Sequence, residues 1–220
     1  MSFDQRLYQF VFEPAADAPI EAVRSLFSEG EQALLSTLTH REQDLRRLAL
    51  KKLNRLSPVK DIRLATFETD SLNRLALLST SEWRQLGLGV ALLPFTGRIA
   101  RSMDGNFRRG IRTALNESQI EAFDALSADA ALASSRPQFI APSVIWKNME
   151  LVFAGGVRSI LEQVCAWPST ISERTLWKFS NALAPTINPI VTDIQPQHIE
   201  VLCKTLLPNH PWLLSSNKTH

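Results

Sequence analysis

Apolar positions recur along most of this chain at intervals of three and four, which predicts a molecule built of helices. Ile20, Val23, Leu26 and Phe27 share one face of a helix over 19–38, with Gly30 expected to interrupt it. Leu45, Leu48, Ala49, Leu53 and Leu56 form a second stripe, with Arg46, Arg47, Lys51 and Arg55 mostly outside it and Ser57-Pro58 as its stop. Thr39-His40-Arg41-Glu42 precedes that stripe in the S/T-x-x-E form of a capping box. Residues 57–70 have no clear period, and Asp70 or Ser71 can cap a short helix over 72–78. A second capping-box match, Ser79 to Glu82, introduces a helix over 83–93 that carries Gly87, Gly89 and Ala91. Glycine inside a helix costs about 1 kcal/mol against alanine, so these small residues predict the close approach of another helix.

Pro94 ends that segment, and a further helix is expected over 95–103. Phe107, Ile111 and Leu115 recur at four as a buried line, and Asn116 caps the next helix over 117–126. Ser143 caps a long helix running to Cys165, in which Gly155-Gly156 marks a kink or a close crossing. Ser172 is the expected cap of a shorter helix bearing Leu176, Trp177 and Leu183. Pro196 fits the first turn of a helix over 197–207, after which Trp212-Leu213-Leu214 docks back on the core. One stretch departs from the helical period. Tyr8, Phe10 and Phe12 alternate at period two, which predicts a short strand or an extended arm ended by Pro14. The fold class is therefore all-α, a single irregular multi-helix domain over 1–214 with a short N-terminal extended arm or strand. The proline-bearing stretch 134–142 is a weak subdivision, and 215–220 reads as a disordered tail.

Charge changes this picture more than composition does. The net charge is only +2, but residues 41–63 carry eight Lys/Arg against three Asp/Glu, and residues 84–112 carry six Arg against Asp104 alone. Cys165 and Cys203 have no partner at CxxC or metal-ligand spacing, which fits core thiols in a reducing compartment. The first residues lack the basic start and cleavage site of a signal peptide, and the apolar run 86–95 is too short for a membrane helix. A cytoplasmic protein without membrane insertion is expected.

Chemistry-bearing motifs are scarce. His40, His198, His210 and His220 are not spaced as metal ligands, so neither a metal nor a cofactor is expected. Gly87-Leu88-Gly89 lacks the third glycine of a dinucleotide loop, and Thr96-Gly97-Arg98 lacks the Lys-Ser/Thr of a phosphate loop. No G-x-S-x-G elbow occurs and no catalytic residue is nominated. Arg98, Arg101, Arg108, Arg109 and Arg112 can converge on one surface, either as a solvated helix face or as a site for an acidic protein. The alternative is a helical nucleic-acid module using the basic middle of the chain. The aromatics lie on apolar stripes, however, and do not interleave with the arginines as a stacking platform requires.

Three stretches resemble the SctK (YscK-type) accessory proteins of bacterial type III secretion systems. They are Phe10-Val11-Phe12-Glu13-Pro14-Ala15-Ala16; Leu86-Gly87-Leu88 leading through Gly97, Arg98, Ile99 and Arg101 to Leu115, Phe123 and Leu126; and Leu202-Cys203-Lys204 through Leu207-Pro208 to Leu213-Leu214. Asp17, Ala18 and Pro19 stand where that family often has an aromatic residue and a histidine. The resemblance implies a non-catalytic, helical, cytosolic adaptor at the cytosolic side of the inner-membrane ring. It would link the SctD-type ring protein to the SctQ-type pod protein, with SctL and SctN as indirect partners.

Overall fold

Ser2 begins the first helix, α1 (Phe3–Phe12), through a reciprocal cap. The Gln5 amide donates to Ser2 Oγ at 3.3 Å, and the Ser2 amide donates to Gln5 Oε1 at 2.9 Å. The computed structural model describes residues 1–16, 18–38, 41–56, 58–59, 62–93, 105–112, 115–126, 149–176, 178–179 and 194–214. The expected arm or strand is thus a helix. Phe3, Leu7, Phe10 and Val11 fall at i, i+4, i+7 and i+8, and that stripe turns inward, with Phe10 and Val11 buried. Tyr8 and Phe12, which suggested the period of two, are exposed and stack on each other at 5.0 Å.

Among the described residues the further helices are α2 (Ile20–Ser25), α3 (Glu29–Leu38), α4 (Glu42–Leu56), α5 (Ala65–Thr69), α6 (Thr80–Leu92), α7 (Gly105–Arg112), α8 (Glu117–Ala125), α9 (Met149–Gln163), α10 (Ser169–Leu176) and α11 (Pro196–Leu206). Ser71–Leu77 and Pro211–Leu213 are 3₁₀ segments, and none of the described residues is in a strand. The fold is all-α. Contacts gather the chain into two compact units, one of Met1–Thr80, Trp167–Ala184 and Ser215–His220, the other of Ser81–Ala166 and Pro185–Leu214.

In the first unit, alanines open the core to close packing. Ala15, Ala18, Ala22 and Ala49 cluster with Val23, Phe27 and Leu53 where α2 meets α4. The helix break expected at Gly30 falls instead at residues 26–28. Ser28 restarts the chain there, its amide donating to Glu31 Oε2 at 2.7 Å, so that Gly30 sits in the first turn of α3. Ser28-x-x-Glu31 carries the same signature as the other caps and explains the shift. Asp70 caps the 3₁₀ segment 71–77 as expected, accepting from the Leu72 amide at 2.9 Å. Phe10 meets Phe67 edge-on at 5.8 Å. The start of α10 is also corrected. Pro168 O accepts from Ile171 and Ser172, so Ser172 lies inside the helix, and Leu176 is exposed. Trp177 and Leu183 lie outside the described residues.

The second unit is organised around α6. Every residue from 86 to 93 is buried, so this helix end has no solvent side. Helix α9 crosses it at Gly87. A Cβ placed on Gly156 would lie 1.7 Å from the Gly87 carbonyl oxygen, and one placed on Gly87 would lie 2.7 Å from Val157 Cγ2. Gly156 therefore serves a close crossing. Gly89 faces α11, where an added Cβ would lie 2.5 Å from Leu206 Cδ1. The small-residue spacing thus admits one helix at Gly87 and another at Gly89. Helix α8, capped by Asn116 as expected, packs on α11. Gln119 Nε2 donates to Leu206 O at 2.8 Å, and Leu213 is buried. Thr39, the helix expected over 95–103, the linker 134–142, Ser143 and the tail 215–220 lie outside the described residues.

Candidate protein-docking surface

Helix α7 is pinned from within by Ile111, which is fully buried, and by Leu115 just beyond its end. That anchoring turns Arg108, Arg109 and Arg112 to solvent, where all three are exposed. Arg98 and Arg101, the other two arginines expected on this surface, lie outside the described residues. Arg112 is not a bare cation. Its Nη2 meets Glu117 Oε1 at 2.6 Å and its Nε meets Oε2 at 3.2 Å. Exposed pairs of this kind contribute about 0–1 kcal/mol. Their consequence here is local, because Glu117 neutralises one end of the basic face. The pair spans the junction between α7 and α8, five residues apart, so helical periodicity could not reveal it.

The structure adds three cations that periodicity did not single out, all buried in the first unit: Arg74, Arg174 and Lys178. Each binds main-chain carbonyls where a helix ends. Arg174 Nη1 donates to Val11 O at 3.0 Å and to Phe10 O at 3.4 Å, at the last turn of α1, while Nη2 reaches Asn54 Oδ1 at 2.5 Å. Arg74 Nε donates to Phe67 O at 2.7 Å near the end of α5. Lys178 Nζ donates to Leu78 O at 3.3 Å, at the end of the 3₁₀ segment 71–77, and lies over the Phe10 ring. The last carbonyls of a helix have no partner within it and carry partial negative charge, so a cation there satisfies both. Burial pulls the pKa of Arg174 and of Arg74 below the ordinary guanidinium value, with Glu68 and Asp70 partly opposing this at Arg74. A signal was present: Ile171, Arg174, Thr175 and Lys178 lie at i, i+3, i+4 and i+7, so two cations occupy an inward stripe.

No protein-family model, curated protein or solved structure matches this chain.

The remaining ionisable groups are dispersed. His198 is buried, and its Nδ1 accepts from the Gln195 amide at 3.1 Å, which leaves the ring proton on Nε2. His210 Nε2 meets Glu82 Oε1 at 2.5 Å, with the Trp212 ring edge-on at 5.5 Å. Cys203 is buried, and desolvation, followed by nearby Glu200, pushes its thiol up to about 12. Cys165, expected in the core, is only partly buried. Among the described residues no group of His, Cys, Asp and Glu could hold a metal, and no helix is long and apolar enough to cross a membrane.

Proposed function

We propose that this chain is a non-catalytic helical adaptor that docks an acidic protein surface against the outward side of α7. The observation that carries it is the exposure of Arg108 and Arg109 on a helix fixed from beneath by Ile111. The resemblance to SctK-type proteins gives the adaptor its setting. It acts in the cytoplasm, at the cytosolic side of an inner-membrane type III secretion ring, between an SctD-type ring protein and an SctQ-type pod protein. SctL and SctN are reached through that platform. Two of the resembling stretches have structural employment, which is compatible with a scaffold: Leu86-Gly87-Leu88 lies at the crossing of α6 and α9, and Leu202 and Leu206 face Gly89.

The test is capture of purified SctQ- and SctD-type proteins by the chain carrying Arg108→Glu, Arg109→Glu and Arg112→Glu. With each exposed charge pair contributing about 0.2–1 kcal/mol, triple reversal weakens capture by roughly three- to a hundredfold while the far-ultraviolet circular dichroism stays unchanged. Capture equal to that of the unaltered chain would remove this face from the proposal, and capture of neither protein by the unaltered chain would remove the setting. The nucleic-acid alternative retains less of the basic face, because Glu117 already occupies Arg112. It predicts binding that falls steeply with salt.

A further inference from the structure

The basic stretch beginning at residue 41 is left without a role by the α7 surface, and its start borders a cleft. The cleft, of about 570 Å³, lies in the first unit between α2, α3 and α4. Ile20, Leu35 and Leu45 line it and pack against the alanine-rich core, which makes an apolar floor. Arg24 of α2 and Arg41, just ahead of α4, line it as well, and both are exposed.

The other polar groups of the lining are committed internally. Gln32 Nε2 donates to Phe27 O at 2.8 Å and to Arg24 O at 3.1 Å. Ser36 Oγ donates to Ala33 O at 2.6 Å. Glu42 accepts from Arg46 Nε at 2.9 Å, and Arg46 in turn binds Ala15 O and Ala18 O, so this carboxylate is neutralised in place. Among the described residues, Arg24 and Arg41 meet no carboxylate. The cleft therefore presents an aliphatic floor and two uncommitted guanidiniums from different elements. Its volume falls in the range of roughly 300–1,000 Å³ typical of binding clefts.

We infer that this cleft docks an acidic segment of a partner protein, seating an apolar side chain on Ile20, Leu35 and Leu45 between carboxylates that face Arg24 and Arg41. The charge of the lining selects the occupant, since guanidinium binds carboxylate more strongly than any neutral acceptor. Two cations on separate elements suit carboxylates carried on both sides of an apolar residue, as a chain segment carries them. The inference stands apart from the secretion setting and from α7.

Fluorescence anisotropy tests it with the full chain and a labelled helical peptide that repeats Leu at spacings of three and four, flanked by Glu. That peptide is expected to bind at least tenfold more tightly than its Glu→Lys and Leu→Ser counterparts. Arg24→Glu with Arg41→Glu is expected to weaken it by about tenfold. Arg47→Glu with Arg55→Glu, an equal charge change on exposed positions of α4, is expected to leave binding unchanged. Equal loss in both pairs would mean bulk charge attraction and would overturn the inference. So would unaltered binding by the Arg24/Arg41 variant, or displacement of the peptide by decanoate, which would make the site one for a free apolar acid. Arg24→Lys with Arg41→Lys retains the charge and keeps most of the affinity if the fold is intact.

Discussion

Replacing Gly156 by alanine adds one methyl group, and the structure predicts that it pushes two helices apart. The added carbon would lie 1.7 Å from the Gly87 carbonyl oxygen, 2.5 Å from its carbonyl carbon and 3.0 Å from its Cα. Ordinary contact begins near 3.4 Å, so α6 and α9 must separate by roughly the difference between that and 1.7 Å. All three atoms are backbone, and no side chain can rotate away. A gap of 0.5–1 Å already forfeits about a quarter to a half of a dispersion contact. The loss extends along the crossing, where Val157, Phe153, Leu86 and Leu88 are buried. Overpacking costs typically about 1–3 kcal/mol and more where backbone must move. Alanine returns about 1 kcal/mol through helix propensity. With the clash wholly against backbone, the net expectation is a destabilisation of about 2 kcal/mol or more, a fall in Tm of at least roughly 4–8 °C for a chain of this size.

Urea denaturation followed by circular dichroism measures this, and a graded series guards against a merely fragile protein. Gly87→Ala meets Val157 Cγ2 at 2.7 Å but backbone no nearer than 3.0 Å, and should cost less. Gly89→Ala meets side-chain ends alone, Leu206 Cδ1 at 2.5 Å and Leu202 Cδ2 at 3.4 Å, which can turn, and should cost less again. Gly30→Ala meets nothing within 4 Å on exposed α3 and should stabilise by about 0.5–1 kcal/mol. A Gly156→Ala protein as stable as the original, or a series in another order, would refute the close-crossing account of α6.

Arg174→Met should cost about 2–4 kcal/mol, because Phe10 O, Val11 O and Asn54 lose a buried donor, and Arg174→Lys should recover only part of it since the fork is lost. Urea midpoints measure both, and a near-neutral Arg174→Met would contradict the capping role. Cys203 ionises at about 12 in the folded chain against 9.0 ordinarily, so its contribution is complete below pH 9 and is lost as pH rises toward 12, where only the unfolded chain releases the proton. Cys203→Ala should flatten the alkaline limb of stability against pH, and an unchanged limb would count against this burial effect. Glu31 is held down to about 2, chiefly by its hydrogen bond from Lys52 and then by Ser28. Its contribution is present above 4.5 and fades as pH falls toward 2, so Glu31→Gln should slightly flatten the acid limb, and a steeper limb would contradict that sign.

The legible parts of the fold were those where one local rule acts alone. Asn116, Asp70 and Pro196 each mark a helix start that the structure reproduces, because a cap depends on residues within one turn. The glycines of α6 foretold a close crossing, although nothing in the pattern says which helix fills it. Alternating aromatics misled at 8–12, since Tyr8 and Phe12 are also i and i+4 on a helix, and the Ser2–Gln5 cap decides between the two periods. The candidate surface was legible only as a composition. That Arg112 is spent on Glu117, and that Arg24 and Arg41 rather than their neighbours border a cleft, depend on how the helices are placed.

The buried cations show why polar residues on an inward stripe are poor guides to chemistry in a small helical unit. Helix α1 ends at Phe12 and α5 at Thr69, both exposed, but the carbonyls of their buried residues Phe10, Val11 and Phe67 accept from cations on other elements. Arg74, Arg174 and Lys178 reach main-chain carbonyls near helix ends and stay buried themselves. The Arg74 bond is local, whereas the Arg174 and Lys178 bonds join segments far apart in the chain. Arg174 ties residues 10–11 to α10 across more than 160 positions, and Lys178 ties the same region to residue 78. The first unit is assembled from two distant stretches of chain. Donors supplied by the later stretch to helix ends in the earlier one favour its return to that place, since any other docking leaves buried carbonyls unsatisfied. In this unit, buried charge specifies connectivity, and the surface that remains for partners is set by the cations left outside.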